Sequence, residues 1–369
     1  MAHFLIVSQD FPPDLGGTQS YGLEIARKLA ARHRVTVVAP DRPGAADGDA
    51  PEPFETRRTP LGLNPFPLAS LPTLRRVYRE GVDATLCVQW YSALACQLAG
   101  RNSPLGLGAH GRELLFTPYV GPVYNYVRRR TFQSADHIFA VSNFVGGLAR
   151  GLGVDERRIQ IVPNAVDAGH FDPERRAARR GRHGLESEFV LLSACRLVPR
   201  KGVHLIVDAV QILAERYPAL RLWIVGDGPE RKRLQAMVSA RSLDQVIRFH
   251  GGVPFEDMPG FFEASDAFCM VPLHAPPDVE GFGLVFLEAA AAGIASVGSR
   301  AGGIEDAILE NHTGLMVPPD DAKSLAEALE RLITDAELRD RLAREGRRHA
   351  LAEGGWERVA DTIEAALLG

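Results

Sequence analysis

The sequence predicts an α/β protein made of two Rossmann-like, doubly wound parallel-sheet domains. Apolar runs of strand length alternate with helix-period segments along the whole 369 residues. The strand runs fall into two sets, and an arginine-rich polar stretch separates them. Strand–helix–strand repetition covers both faces of a sheet, as parallel strands require. One sheet of about twelve strands would be unusually wide, so two sheets of about six are expected.

In the first half the strand candidates are Phe4–Ser8, Arg34–Ala39, Ala84–Gln89, Leu105–Ala109, His137–Ser142 and Gln160–Pro163. In the second half they are Phe189–Ala194, Leu220–Gly226, Ile247–Gly251, Ala267–Pro272, Ile294–Ser299 and Gly314–Pro318. Amphipathic stretches such as Ser20–Ala31, Val203–Arg216, Glu230–Arg241 and Lys323–Leu332 read as the connecting helices. The boundary is expected near Ala165–Leu185, giving domains 1–170 and 171–352. There Asp172-Pro173-Glu174 leads into Arg175, Arg176, Arg179, Arg180 and Arg182. This run reads either as an anion-binding patch or, preferred here, as a solvated linker and first helical turn.

Composition narrows the function. Hydrophobic residues make up 46% and charged residues 24%, enough apolar material for two cores. The net charge of −4 argues against a nucleic-acid binder. It divides as +3 over 1–170 and −7 over 171–369, so the mildly basic first half is the one suited to an anionic partner. No apolar run reaches membrane-spanning length and no charged-then-apolar leader precedes Phe4. Cys87, Cys96, Cys195 and Cys269 show no CxxC spacing, and a reduced, cytoplasmic protein is expected.

In open parallel sheets, ligands bind beyond the carboxyl ends of the strands. Two motifs stand there in the second half. Glu280-Gly281-Phe282-Gly283-Leu284, with Glu288 a turn further on, opens the helix expected over Leu284–Ala292. Glycines let the backbone approach a ligand, and the unpaired amides of a helix start favour a phosphate. The two carboxylates are spaced to accept hydrogen bonds from hydroxyls. Taken alone, they would read as a dipole-complementing residue and a solvated helix position. Arg196 and Lys201, in Cys195-Arg196-Leu197-Val198-Pro199-Arg200-Lys201-Gly202, leave the end of the strand Phe189–Ala194. Two cations beside a helix start suit a diphosphate and would stabilise charge on a departing phosphate; as isolated loop residues they would simply be solvated.

Taken in order, these motifs resemble the retaining glycosyltransferase family 4 of the GT-B fold, over nearly the whole chain. Asp10-Phe11-Pro12-Pro13-Asp14-Leu15-Gly16-Gly17-Thr18-Gln19-Ser20-Tyr21 is similar to its N-terminal loop. Ala109-His110-Gly111-Arg112-Glu113, Ala140-Val141-Ser142 and Val162-Pro163-Asn164-Ala165-Val166-Asp167 resemble its first-half signatures. Arg196 with Lys201, Val225-Gly226-Asp227-Gly228-Pro229, and Glu280 through Glu288 resemble its donor half. Within the family, the opening, Leu197–Gly202 and Asp278–Gly281 look most like bacterial phosphatidylinositol mannosyltransferases.

The resemblance implies two domains facing across a cleft, with the helix within 353–369 packing back on the first. It implies a metal-independent transfer from a GDP- or UDP-sugar, without a further cofactor, to a lipid or saccharide hydroxyl. Arg196 and Lys201 would bind the diphosphate, and the backbone at Phe282, Gly283 and Leu284 would contact phosphate or sugar. Glu280 would accept hydrogen bonds from the donor sugar, Glu288 would hold the ribose, and backbone near Gly252 and Val253 would meet the base. His110 would reach the sugar, Gly16 and Gly17 would let the first loop approach the phosphate, and Asp10 is an acceptor-side candidate. Gly302-Gly303-Ile304-Glu305-Asp306 departs from the family's GG-x-P-E, which puts that loop's role in donor choice in doubt.

Other signals carry less. Gly106-Leu107-Gly108-Ala109-His110-Gly111 fits GxGxxG, the fingerprint of the alternative reading as an NAD-dependent oxidoreductase, but it lies inside an apolar run with no acid at the required distance. A catalytically silent sugar-nucleotide-binding protein is a second alternative. Asp47-Gly48-Asp49 is a DxD in a polar loop rather than at a strand end. Arg128-Arg129-Arg130 with Arg75, Arg76 and Arg79 suggests peripheral contact with anionic membrane, at the inner face of the cell membrane, or else solvated helix faces.

Overall fold

The computed structural model describes every residue except 14–15, 46–51, 61–65, 116–120, 275 and 353–354. The chain forms two compact units, Met1–Asn164 with Trp356–Gly369, and Ala165–Gly355.

The first unit holds a seven-stranded sheet: β1 (His3–Val7), β2 (Arg34–Pro40), β3 (Glu55–Thr59), β4 (Ala84–Cys87), β5 (Leu105–Ala109), β6 (His137–Ala140) and β7 (Ile159–Ile161). All pairings are parallel, in the order β3-β2-β1-β4-β5-β6-β7. The winding reverses between β1 and β4. Six strands match the apolar runs; β3 does not, because ETRRT is a half-exposed edge strand with only Thr59 buried. The helices that matter for the site are α1 (Gly17–Ala30), α2 (Leu71–Arg79), α3 (Trp90–Ala99) and α4 (Gly121–Ser134). The first two glycines of the GxGxxG pattern stand within β5: a Cβ on Gly106 would lie 2.4 Å from Phe139, and one on Gly108 3.0 Å from the Val88 carbonyl. They admit neighbouring side chains and backbone rather than opening a helix on a phosphate.

The second unit holds a six-stranded parallel sheet: β8 (Phe189–Ala194), β9 (Leu220–Val225), β10 (Ile247–Gly251), β11 (Ala267–Met270), β12 (Ala295–Ser299) and β13 (Gly314–Val317). Its order is β10-β9-β8-β11-β12-β13, so the winding reverses between β8 and β11. β8, β9, β11, β12 and β13 are buried almost throughout, whereas the edge strand β10 (IRFHG) is buried only at its two ends. The covering helices include α5 (Arg176–Arg182), α6 (Val203–Ala214), α7 (Arg231–Ala240), α8 (Met258–Ala264), α9 (Leu284–Ala291), α10 (Ala322–Thr334) and α11 (Ala336–Ala352). Leu205, Ile206, Leu213, Leu325 and Leu329 from α6 and α10 join the strands in one core.

Segment 165–170, expected with the first half, belongs to the second unit. His170 meets Phe255 edge-on at 6.2 Å, and the adjoining Phe171 packs on Phe262 at 5.8 Å. The arginine run beyond it is not a solvated linker. Arg176 and Arg180 pair with Asp266 at 2.6 and 3.0 Å, Arg179 with the buried Glu263 at 2.9 Å, and Arg175 with Asp172 at 3.2 Å. Arg176, Arg179 and Arg180 lash α5 to α8 and to the start of β11.

The last helix, α12 (Gly355–Leu368), carries Trp356 to within 6.1 Å of Tyr21 and Leu367 against β5 at Gly106. Arg32 pairs there with Glu357, Asp361 and Glu364 at 3.0, 2.6 and 2.8 Å. Among the described residues no helix is long and apolar enough to cross a membrane. Asp266 also accepts the Val190 amide at 2.8 Å, so Asp266→Ala strands two cations and a strand N–H. Urea unfolding of this variant is expected to show the second unit destabilised by about 2–3 kcal/mol; an unchanged transition would contradict the lashing role.

Candidate functional site

The second sheet's reversal point is where adjacent strands send their loops in opposite directions. From β8 the chain passes Cys195 and Arg196 into a 3₁₀ turn, Pro199–Lys201, and then Gly202 caps α6. Gly202 has φ +68°, and a Cβ there would stand 2.0 Å from the Val271 carbonyl, so the turn lies directly on the end of β11. The Leu273 amide donates to the Arg200 carbonyl at 2.7 Å, a second tie between the two loops.

This closeness joins the motifs. Lys201 Nζ lies 2.5 Å from Glu280 Oε2 and also donates to Met270 Sδ at 3.5 Å. Arg200 Nη1 reaches the same carboxylate oxygen at 2.6 Å, and its Nε lies 3.0 Å from Asp278 Oδ1. Burial pushes the Glu280 carboxyl up, but the charges of Lys201 and Arg200 and their hydrogen bonds outweigh it and hold the carboxyl below its usual range. Arg200 is the residue sequence reasoning left without a role; two consecutive cations facing Asp278 and Glu280 were the available signal. Arg196 is exposed and, among the described residues, forms no side-chain ion pair or hydrogen bond.

Beyond Glu280, Phe282 is buried and Gly283 caps α9, which begins at Leu284 and leaves its first amides without helical partners. Glu288 sits half-buried one turn inside, and its carboxyl has no partner among the described residues. Burial alone raises its pKa to about 7. Gly252 is exposed with open space around it, and Val253 is half-buried beside it after β10.

The first sheet's reversal point carries the remaining candidates. Gln89, just after β4, accepts the Gln9 amide at 3.0 Å and donates to Asp10 Oδ2 at 3.2 Å, which fixes Asp10 beyond β1. In the sequence Gln89 reads only as the end of a strand, because a single amide carries no motif. His110 follows β5. Its Nε2 lies 3.0 Å from the Val88 carbonyl, which can only accept, so Nε2 carries the proton and Nδ1 is an acceptor. Burial lowers its pKa against the opposing charges of Glu113 and Asp10, so the ring is neutral near pH 7. Glu113 is spent on the His110 and Gly111 amides. Gly16 caps α1 and Gly17 begins it, with nothing near the position of a Cβ on Gly17.

Arg128 corrects the basic patch: it is buried and donates to the Leu115 carbonyl, while Arg129 donates to the Leu152 carbonyl at 3.1 Å. Arg76 lies 3.6 Å from Glu80, whereas Arg75, Arg79 and Arg130 remain exposed. Asp47-Gly48-Asp49 lies outside the described residues, as do Asp14 and Leu15.

Comparison with known proteins follows this geometry. Residues 15–170 match the model of Glycosyltransferase Family 4, and residues 175–349 that of Glycosyl transferases group 1. The chain is 32% identical, over 99% of its length and 98% of the relative's, to a GDP-mannose-dependent alpha-(1-6)-phosphatidylinositol monomannoside mannosyltransferase of Mycolicibacterium smegmatis. A GDP-mannose-dependent monoacylated alpha-(1-6)-phosphatidylinositol monomannoside mannosyltransferase of Corynebacterium glutamicum is 27% identical over 97% of this chain and 96% of its own. Among solved structures, HepE of Anabaena in complex with UDP superposes with a TM-score of 0.83 at 21% identity, covering 99% of both chains. WaaG, a glycosyltransferase involved in lipopolysaccharide biosynthesis, gives 0.74 at 20% identity over 98% of this chain and 99% of its own. The two parallel sheets are those of the GT-B fold.

Glu288 generates a pH prediction. Its folded pKa, about 7, lies above the ordinary 4.5, so its protonated form favours folding below pH 4.5 and that contribution is lost as pH rises toward 7. Glu288→Gln cannot lose it. Urea melts of the ligand-free protein are expected to match below pH 4.5 and to favour the variant by up to about 3 kcal/mol above pH 7; parallel pH profiles would refute the burial argument.

Proposed function

The chain belongs to glycosyltransferase family 4, and we propose that it is a retaining, metal-independent hexosyltransferase, mannose favoured, acting from a nucleoside-diphosphate sugar on a lipid or saccharide hydroxyl. The observation that carries this reading is the meeting of Lys201, Arg200 and Glu280 at one reversal point, next to the open amides of α9. Relatives of similar length along the whole chain are named for GDP-mannose and phosphatidylinositol mannoside, which favours mannose and a lipid acceptor; the solved structure with UDP keeps uridine donors in view.

In this reading the pyrophosphate lies against Arg196, Lys201 and the backbone of Phe282, Gly283 and Leu284. Those cations supply the positive charge that a divalent ion supplies in other sugar transfers. Glu280 accepts from sugar hydroxyls. Glu288 holds the ribose, whose hydroxyls would satisfy the bare carboxyl. Gly252 and Val253 meet the base through their backbone. His110, neutral with Nδ1 as acceptor, receives a hydrogen bond from a sugar hydroxyl; Gly16 and Gly17 approach the phosphate, and Asp10 orients the acceptor. The C1–O bond to phosphate breaks as the acceptor oxygen bonds C1 on the same face. The acceptor proton passes to the departing phosphate oxygen, which keeps the anomeric configuration.

Exposed Leu68, Val123 and Tyr126, with Arg75, Arg79 and Arg130, lie on helical segments around α3 and form the proposed contact with an anionic membrane. Flotation with anionic liposomes at low salt is expected to carry the protein upward, and absence of binding would remove this part.

A thermal-shift panel of sugar nucleotides tests the donor. The true donor at 100 times its dissociation constant should stabilise by about 2.7 kcal/mol, with GDP-mannose expected to lead. Failure of every sugar nucleotide would overturn the reading. Lys201→Ala should lower turnover by roughly 100-fold or more while donor affinity falls less than about tenfold; full activity would contradict its role.

A further inference from the structure

We propose that the Gly302–Gly303 turn is the seat that fixes the height of Glu280, and so determines how well the site tells a sugar nucleotide from the bare nucleotide. The proposal rests on the reading of Glu280 as a partner of the donor sugar.

The Glu280 carbonyl accepts the Gly303 amide at 2.9 Å. Gly302 has φ +63°, and a Cβ on it would lie 2.1 Å from that carbonyl oxygen and 3.1 Å from its carbon. The peptide of Glu280 therefore rests on residue 302 with no room for any side chain, at a backbone conformation L residues rarely adopt.

The seat itself is fixed to the sheet. It follows β12, where the buried Ser299 hydroxyl donates to the Pro272 carbonyl at 2.6 Å and the Arg300 amide to the Val317 carbonyl at 2.9 Å. The loop from β11 to Glu280 is thus tied at its start by Ser299 and Arg200, and at its end by Gly303.

The side chain of Glu280 has no comparable fixed support. Lys201 and Arg200 hold it, yet a cation that turns to a pyrophosphate gives up part of its hold on the carboxylate. The main-chain seat does not depend on them. It also acts through backbone atoms alone, so the residues after the glycines, Ile304-Glu305-Asp306 here, are free to depart from a proline–glutamate pattern without disturbing it. Misplacing a positioned group by about 1 Å can cost roughly 100-fold, so a seat is worth keeping even where the side chain is ion-paired.

The test compares wild type, Glu280→Gln and Gly302→Ala by measuring the affinity of GDP and of GDP-mannose (UDP and UDP-glucose if that pair binds better). Glu280→Gln should erase most of the tenfold-or-greater preference for the sugar nucleotide. Gly302→Ala should erase it equally while leaving bare-nucleotide affinity within about threefold of wild type. If Glu280→Gln keeps the preference, the reading of Glu280 fails; if it loses the preference but Gly302→Ala keeps it, the seat fails. Should Gly302→Ala not fold, amide exchange in the other two proteins decides. Sugar nucleotide should slow exchange at Gly303 more than bare nucleotide does in wild type, and not in Glu280→Gln; equal slowing by both nucleotides in wild type would overturn the proposal.

Discussion

The donor half of this molecule depends on keeping a carboxylate and two cations together, half out of water, at the point where its sheet changes winding direction. Glu280, Lys201 and Arg200 come from loops that leave neighbouring strands β8 and β11, and only that adjacency brings them within 2.5 to 2.6 Å. A buried charge without a partner would be driven to its neutral form. Together with Asp278 the group is electrically balanced before any ligand arrives. Arg196 stands in the loop after β8, exposed and, among the described residues, without a side-chain partner.

The first sheet uses the same topology with different chemistry. At its reversal point an uncharged amide, Gln89, does the bridging, and the imidazole beside it is held neutral by burial. A neutral acceptor suits hydroxyl recognition, where a cation would attract phosphate instead. Glu288 shows the cost of such arrangements in the other unit, since a carboxyl left without counter-ion is unfavourable to the folded chain until something fills the site.

Much of this was legible beforehand because parallel strands buried on both faces announce themselves as apolar runs: β8 and β5 fall where the pattern puts them. β3 was invisible for the opposite reason, being a half-exposed edge strand made of the polar run ETRRT, with only Thr59 buried. The arginines from 175 to 182 misled because charge density looks the same whether the partners are water or Asp266 and Glu263. Lys201 and Glu280 could be named from local motifs, but their contact spans 79 positions and follows only from strand order. Gln89 and the Gly302 seat act through geometry that no local spacing encodes.

The chain leaves the first unit at Asn164 and returns to it at Trp356. In between, the whole second unit is synthesised. A ribosome therefore releases β1 to β7 long before the segment that lays Leu367 over Gly106 and sets three carboxylates around Arg32. Until then that flank of the nascent first unit lacks its cover, and the Gly106 surface and the Arg32 guanidinium lack the partners that α12 brings. The first unit therefore cannot be completed until the whole of the second has been synthesised.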